Sequence, residues 1–317
     1  MKSFAVAAIM TVALAAPAKG TDKVRLVSGH TVIFETEHPY SALEGGIFRK
    51  YGLDVSIVHG SSAAESMKSL VTGTQDIIYS VDALSVLRAY ASGKPVRILG
   101  STMRGTGDFF WYVKHPSPIK RFTDLKADQE LTYSRPGSVT ALTALLLHEA
   151  LNLKPALISA GGLSATRDQV LAGQIATGWS VFPFNGKYLR ERKIRIIGTG
   201  SQATGIRGVS VRVIAANARW LDKNRSTARR LIAALSEGQV RSYSNDQQLR
   251  AYALRWNLKY ADVQKFSEFV PLTTATFLPV GRIDRLNEIA VRFKQIQKPL
   301  TPAQLKELVH PLGNKPG

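Results

Sequence analysis

The 317 residues include no cysteine. Thiolate metal sites, iron–sulfur clusters, a cysteine nucleophile and a disulfide framework are excluded with it. Acidic residues are scarce beside basic ones, 23 Asp and Glu against 42 Lys and Arg, for a formal net charge of +19. The 6 histidines include no pair four apart, and no His-Glu-x-x-His motif occurs, so a helix-borne zinc site is not signalled. No Gly-x-Ser-x-Gly elbow is present to carry a serine nucleophile. After the first residues, no apolar run approaches the roughly 20 positions of a membrane-spanning helix.

What is there is ordinary for a globular chain: 44% apolar and 21% charged residues. The length fits one large or two medium lobes. At the start, Lys2 precedes Phe4, Val6, Ile9, Met10, Val12 and Leu14 among alanines, and Ala16-Pro17-Ala18 places small residues where a signal peptidase reads. The pattern predicts a signal peptide over residues 1–18 and a soluble protein exported to the periplasm. No cysteine follows the cleavage site to take a lipid.

From residue 24 strands and helices alternate. Val24 to Val27 reads as a strand, a helix runs from Tyr40 to Tyr51, and Leu53 to Val58 alternates with period two. Ser62-Ala63-Ala64-Glu65 is a capping box opening a helix that ends at Gly73. Ile77 to Tyr79, Val96 to Leu99 and Phe109 to Val113 read as strands, and Asp82 caps a helix before Gly93. Pro116 and Pro118 punctuate the chain, and the pattern restarts. A strand at Leu131 to Tyr133, a helix from Ser138 to Leu151, a strand near Leu157-Ile158 and a second capping box at Thr166 to Gln169 follow. Strands at Ile175 to Val181, Ile194 to Ile197 and Val209 to Ile214 come next. The remainder reads as helices over 217–222, 226–243, 246–257, 261–269, 281–296 and 302–309. Short βα units favour a parallel-rich sheet covered by helices.

The stretch Ala42-Leu43-Glu44-Gly45-Gly46-Ile47-Phe48-Arg49-Lys50-Tyr51-Gly52-Leu53-Asp54-Val55 resembles the nitrate/sulfonate/taurine-type periplasmic solute-binding proteins of ABC importers. Gly60-Ser61-Ser62, Gly73-Thr74-Gln75-Asp76, Gly93-Lys94-Pro95-Val96, Pro136-Gly137-Ser138 and Leu171-Ala172-Gly173-Gln174-Ile175 are similar in order and spacing. After Gln174 the family often continues Asp-Ala, whereas this chain has Ala176-Thr177-Gly178-Trp179. The resemblance implies an α/β, two-lobe, type II periplasmic-binding-protein fold. Its ligand cleft would lie between the lobes, with crossings near 114–118 and 199–207 and hinged closure over the ligand. Residues 19–115 and 203–317 would form one lobe and 116–202 the other. It further implies a monomer, not an enzyme, that hands a small organic anion to a permease with its ATPase subunit. No cofactor, metal or nucleic acid is expected.

Ligands of open α/β sheets sit beyond the carboxyl ends of strands, where helix N-termini favour an anion. Three such corners stand out: Gly60-Ser61-Ser62, Ser80-Val81-Asp82 and Gly137-Ser138-Val139. Ser62 and Asp82 also read as plain helix caps. A guanidinium clamps a carboxylate or sulfonate through two hydrogen bonds, which makes Arg104 a candidate. Arg135, beside Pro136-Gly137, reads as solvated. Trp179 suits an aromatic wall, since its N–H needs a partner, although core packing is the commoner fate of aromatics such as Trp111, Tyr112, Phe182 and Phe184. His38 and Tyr40 lie in the first βα loop, which lines the cleft in the family. Glu35 and Glu37 would point to opposite faces of an extended strand, which does not favour a paired-carboxylate site. Gly198 to Ala203 follows a strand like a dinucleotide fingerprint, but no helix opens after it.

Other readings remain open on the residues. Enzymes of thiamine-pyrimidine-precursor synthesis and some menaquinone-pathway dehydratases look similar, but act in the cytosol. A solute-sensing partner of a membrane receptor, or a binder of polyanions or membrane surfaces, is also compatible with the charge. The tail arginines (225, 229, 230, 241, 250, 255) read as a solvated helix face.

Overall fold

Strand β1 (Asp22–Ser28) sets the layering. Its Val24 and Leu26 are buried in one apolar cluster and Val27 in another, as alternation requires of a strand covered on both faces. The structure is a computed structural model and describes residues 21–28, 33–60, 62–265, 270–272, 277, 279–310 and 312. The expected signal peptide, Ser61 and the end of the helix expected over 261–269 lie outside the described residues.

After β1 come α1 (Glu37–Glu44), α2 (Ile47–Lys50), β2 (Leu53–His59), α3 (Ala63–Thr72), β3 (Ile77–Asp82), α4 (Ala83–Ala91) and β4 (Val96–Arg104). The single helix expected from Tyr40 to Tyr51 is broken at Gly45-Gly46. Gly46 takes φ +67° there, which residues with a Cβ rarely adopt. Its first half also starts earlier, because Pro39 fits a first turn, where amides lack intrahelical partners anyway. The side chains of Ser62 and Asp82 accept from the amides of Glu65 and Leu84, so both are helix caps.

A second block holds β5 (Phe109–Lys114), β6 (Glu130–Tyr133), α5 (Val139–Ala150), β7 (Ala156–Ser159), α6 (Leu163–Ala172), β8 (Gly178–Val181), α7 (Gly186–Arg190) and β9 (Ile194–Thr199). β5 is the centre of an antiparallel sheet in the order β8-β5-β9, and β6 pairs with β7 in parallel. The chain therefore changes sheets between Arg104 and Phe109, through Gly105 at φ +67°, earlier than the 114–118 expected. Pro116 and Pro118 end β5 instead, since proline cannot donate to a ladder. Residue 166 also departs from expectation. α6 begins at Leu163 with Gly162 as its N-cap, and the Thr166 hydroxyl donates to the Ala160 carbonyl at 3.0 Å.

The return passes through short 3-10 turns at Gly200–Gln202 and Thr204–Ile206. β10 (Ser210–Asn217) then enters the first sheet, whose order is β2-β1-β3-β10-β4. β1, β2 and β3 are parallel, but β10 runs antiparallel to both its neighbours. The parallel-rich expectation is thus met in three strands. Periodicity marks β10 as a strand without saying where it inserts.

The tail contains α8 (Ala218–Lys223), α9 (Arg225–Ser244), α10 (Asp246–Arg255), α11 (Tyr260–Gln264), α12 (Ile283–Arg292) and α13 (Pro302–Leu308). Leu231 and Leu235 of α9 join Val24, Phe48 and Leu53 in one core cluster. Half of the six tail arginines, 230, 241 and 255, are partly buried and not a solvated face. Arg230 donates to the carbonyls of Tyr51 and Gly52 and pairs with Asp22, and Arg229 donates to the carbonyl of Leu312. Arg241 reaches Gln248, and Arg255 pairs with Glu37 and Glu44. Arg225, Arg229 and Arg250 do stay exposed, Arg225 and Arg250 beside Asp222 and Asp246. The others find unpaired carbonyls and carboxylates that periodicity cannot reveal.

Glu37 gives this staple a pH signature. Its side chain is fully buried, and burial pushes its carboxyl from 4.5 up to about 7 against the pull of Arg255. A carboxyl raised in the folded state binds more protons there than in the unfolded chain. Its stabilising contribution is present below the unfolded value and lost as pH rises through about 7. Urea unfolding should therefore show stability falling by on the order of 2 kcal/mol between about pH 5 and pH 8, with Glu37→Gln flattening part of the slope. A wild-type profile that is level or rises over that range contradicts the assignment.

Candidate ligand-binding site

The two blocks of sheet enclose a cavity of about 680 Å³. Ligand sites for small molecules span roughly 300–1,000 Å³. Ile33, Ala63, Asp82 and Arg212 line it from the side of the five-stranded sheet. Ser134, Arg135, Ser138, Val139, Thr140 and the run Gly161 to Ala165 line it from the other, with Phe109, Trp179, Val181 and Phe184 as apolar wall.

Its polar side is built from helix starts. Ser138 caps α5, accepting from the Ala141 amide at 3.1 Å, and its neighbours Val139 and Thr140 lie on the wall. α6 begins at Gly162, which has no side chain to cap it, so Leu163, Ser164 and Ala165 bring an uncapped first turn to the cavity. The positive end of a helix dipole with free amides is suited to an anion. Trp179 is fixed by its indole N–H, which donates to the Gly161 carbonyl at 3.0 Å. Its ring meets Phe109 edge-on with centroids 6.2 Å apart.

Arg212 is the residue that sequence reasoning missed. It sits on β10, 3% exposed, beside Asp82 across the β3 pairing. Its Nε lies 2.8 Å from a Glu35 carboxylate oxygen, and one Nη lies 2.5 Å from Asp108. Burial works against its charge, but Asp108 and Glu35 more than offset that and hold the guanidinium above its ordinary value. Burial pushes Glu35 up to about 7, with Arg212 pulling the other way and Asp108 adding to the rise. Asp82 is also raised by burial, against the amide of Leu84 and the charges of Arg88 and Arg135. Little in the sequence signals Arg212: in Val209 to Ile214 the polar Ser210 and Arg212 fall on one face, as in a half-solvated strand, and Arg212 is buried because β10 lies between β3 and β4.

The structure brings Asp82, Ser138, Val139 and Trp179 of the expected residues to this cavity. The others lie elsewhere. His38 is buried with Nδ1 2.6 Å from the Tyr79 hydroxyl, and burial lowers it to about 3. Tyr40, in α1, stacks on His59 and hydrogen-bonds to it at 2.8 Å. Gly60 is required by packing, since a Cβ there would meet Ser66 Oγ at 2.1 Å. Ser62 is spent on its cap, and Ala63 reaches the wall instead. Ser80, at φ +59°, donates to Glu35 at 3.3 Å, and Val81 is core. Arg104 donates to the Pro279 carbonyl, while Arg135 is exposed, as read, and also lines the cavity. Gly137, at φ +71°, packs against Arg88 and Gln295 at a smaller cavity of about 210 Å³ that Ser138 also touches. Trp111 and Tyr112 are core. Glu35 and Glu37 belong to separate ion pairs, but they lie in a 3-10 turn and at the start of α1, not on the extended strand expected.

This geometry matches known proteins at two levels. Overall, the chain has the periplasmic binding protein fold. It resembles the periplasmic aliphatic sulphonate binding protein SsuA of Escherichia coli, with 16% identity, TM-score 0.75, and 94% of this chain covering 95% of that one. The alkanesulfonate-binding protein SsuA of Xanthomonas axonopodis pv. citri, bound to MOPS, gives 14% identity, TM-score 0.69, and coverage of 93% and 96%. The periplasmic nitrate-binding protein NrtA of Synechocystis PCC 6803 gives 15%, 0.57, and coverage of 77% and 69%. Residues 35–248 match the family model described as NMT1/THI5 like, so the chain belongs to the NMT1/THI5-like family. No curated protein matches the sequence.

Proposed function

We propose that the protein is the solute receptor of an ABC importer, working outside the cytoplasm, and that it captures a small organic anion such as a sulfonate or carboxylate. One observation carries this reading: two helix N-termini and Arg135 line one side of a cavity to which Phe109, Trp179, Val181 and Phe184 add apolar surface. That combination holds an anionic head by amides and an apolar body by aromatic surface. The sulfonate- and nitrate-binding proteins of the same fold support the substrate class. In this proposal residues 19–115 and 203–317 form one lobe and 116–202 the other, except that β5 pairs with the second lobe's strands. The lobes close on the anion, and the loaded monomer docks on its permease. Residues 1–18 serve as the export signal. A synthase role, which the family description also brings to mind, is less well served, because no histidine is among the described residues lining the cavity.

Trp179 provides the test. Titrating the purified chain with nitrate, alkanesulfonates and small carboxylates should change its indole fluorescence and raise the melting temperature for at least one of them. Trp179→Phe should abolish the fluorescence change and keep the thermal shift. A panel that moves neither signal overturns the proposal.

A further inference from the structure

Among the side chains lining the cavity, Arg212 is distinguished by a buried Nη1 with no hydrogen-bond partner, while its Nε and other Nη face Glu35 and Asp108. A buried N–H donor left open at a cavity wall costs free energy until something accepts from it. The charge around it selects what that something is. One guanidinium faces two carboxylates, both almost wholly buried, so the cluster repels a second anion. An ammonium is refused as well. Among the described residues lining the cavity, the buried side-chain atoms without a hydrogen-bond partner are the donors Nε and Nη1 of Arg212; the open Asp108 Oδ1 belongs to a residue off that lining, and Asp82, the carboxylate on it, has both oxygens accepting from the first turn of α4, through the Leu84 amide and the Ser85 hydroxyl. Between this floor and the helix ends of α5 and α6 stand Phe109, Trp179 and Val181.

We propose that the cavity selects a monoanion carrying a neutral hydrogen-bond acceptor, such as a carbonyl or ether oxygen, at the end away from its anionic head. Arg212 Nη1 would be the group that reads that acceptor. This rests on the anion-receptor reading above and refines it.

Four probes with one ring separate the possibilities by calorimetry at about pH 8, where Glu35 is largely ionised. They are benzenesulfonate, 4-acetylbenzenesulfonate, benzene-1,4-disulfonate and 4-(aminomethyl)benzenesulfonate. The acetyl compound should bind about 10-fold or more tighter than benzenesulfonate, and the disulfonate and the ammonium compound more weakly than it. Arg212→Lys keeps a cation between the carboxylates and removes the open Nη1; whatever its overall affinity, it should erase the acetyl advantage, so that 4-acetylbenzenesulfonate and benzenesulfonate bind alike to it. Asp108→Asn, a milder change, should relieve the penalty on the disulfonate by about 10-fold. Benzenesulfonate binding with no acetyl preference, a preference surviving in Arg212→Lys, or tightest binding by the disulfonate or the ammonium compound overturns this inference and leaves the receptor reading standing. Failure of all four probes to bind overturns this inference, and overturns the receptor reading as well only when nitrate, the alkanesulfonates and the small carboxylates also fail.

Discussion

Arg212→Met should destabilise the fold by about 3–5 kcal/mol, the largest loss expected from any single change at the cavity. The substitution conserves volume poorly but not disastrously; its cost is electrostatic. Glu35 and Asp108 are 0% and 1% exposed, and without the guanidinium two carboxylates would share a water-free site. Protonating one of them relieves part of the penalty, which is why the loss should shrink at low pH. The cluster also ties three separate pieces of chain together. Glu35 lies in the 3-10 turn before α1, Asp108 in the turn where the chain leaves the first sheet, and Arg212 on β10, where it returns. Phe109 covers the guanidinium with its ring centroid 5.2 Å away. Combining Glu35→Gln, Asp108→Asn and Arg212→Met should recover most of the loss, since a buried ion cluster is worth little against neutral groups of similar shape. Denaturant unfolding measures both. An Arg212→Met protein within about 1 kcal/mol of wild type would mean the cluster is not what holds these segments.

How much of this could be read from the residues depended on whether the cause was local. Ser62 and Asp82 show as caps because a cap is decided within four residues, and both accept from the amides they should. The resemblance to periplasmic binding proteins rests on the order of several short turns, and the fold follows it. What stayed hidden depends on partners far away in the chain. The insertion of β10 between β3 and β4 joins residues more than a hundred positions apart. The pairing of Arg255 with Glu37, or of Arg212 with Asp108, is equally remote. Arg104 is engaged away from the cavity for the same reason: Pro279, whose carbonyl accepts from it, lies 175 residues away. At α6 a local rule misled. Thr166 has the spelling of a capping box, but its hydroxyl serves the Ala160 carbonyl, and the helix begins where a glycine offers no cap at all.

That missing cap supports the sharpest binding prediction. Gly162→Asp should lower affinity for the anionic ligand about 100-fold, on the order of 2.7 kcal/mol, while leaving the protein as stable as before or slightly more so. The backbone already accommodates a side chain, since Gly162 has φ −74° and ψ 176°, and a Cβ there would meet nothing within 4 Å. The new carboxylate would accept from the first-turn amides of α6 and complement the helix dipole, which stabilises a helix by a few tenths to about 1 kcal/mol. It would also stand where the ligand's own negative group is to be held, taking its hydrogen bonds and repelling its charge. Gly162→Asn separates these effects: it offers the same cap without the charge, so its loss of affinity should be smaller and nearly independent of salt. The two readouts move in opposite directions only if the uncapped turn is kept open for an anion. Thermal melting and calorimetric titration on the same preparations decide it. A Gly162→Asp protein that binds as well as wild type places the anion somewhere other than the α6 N-terminus.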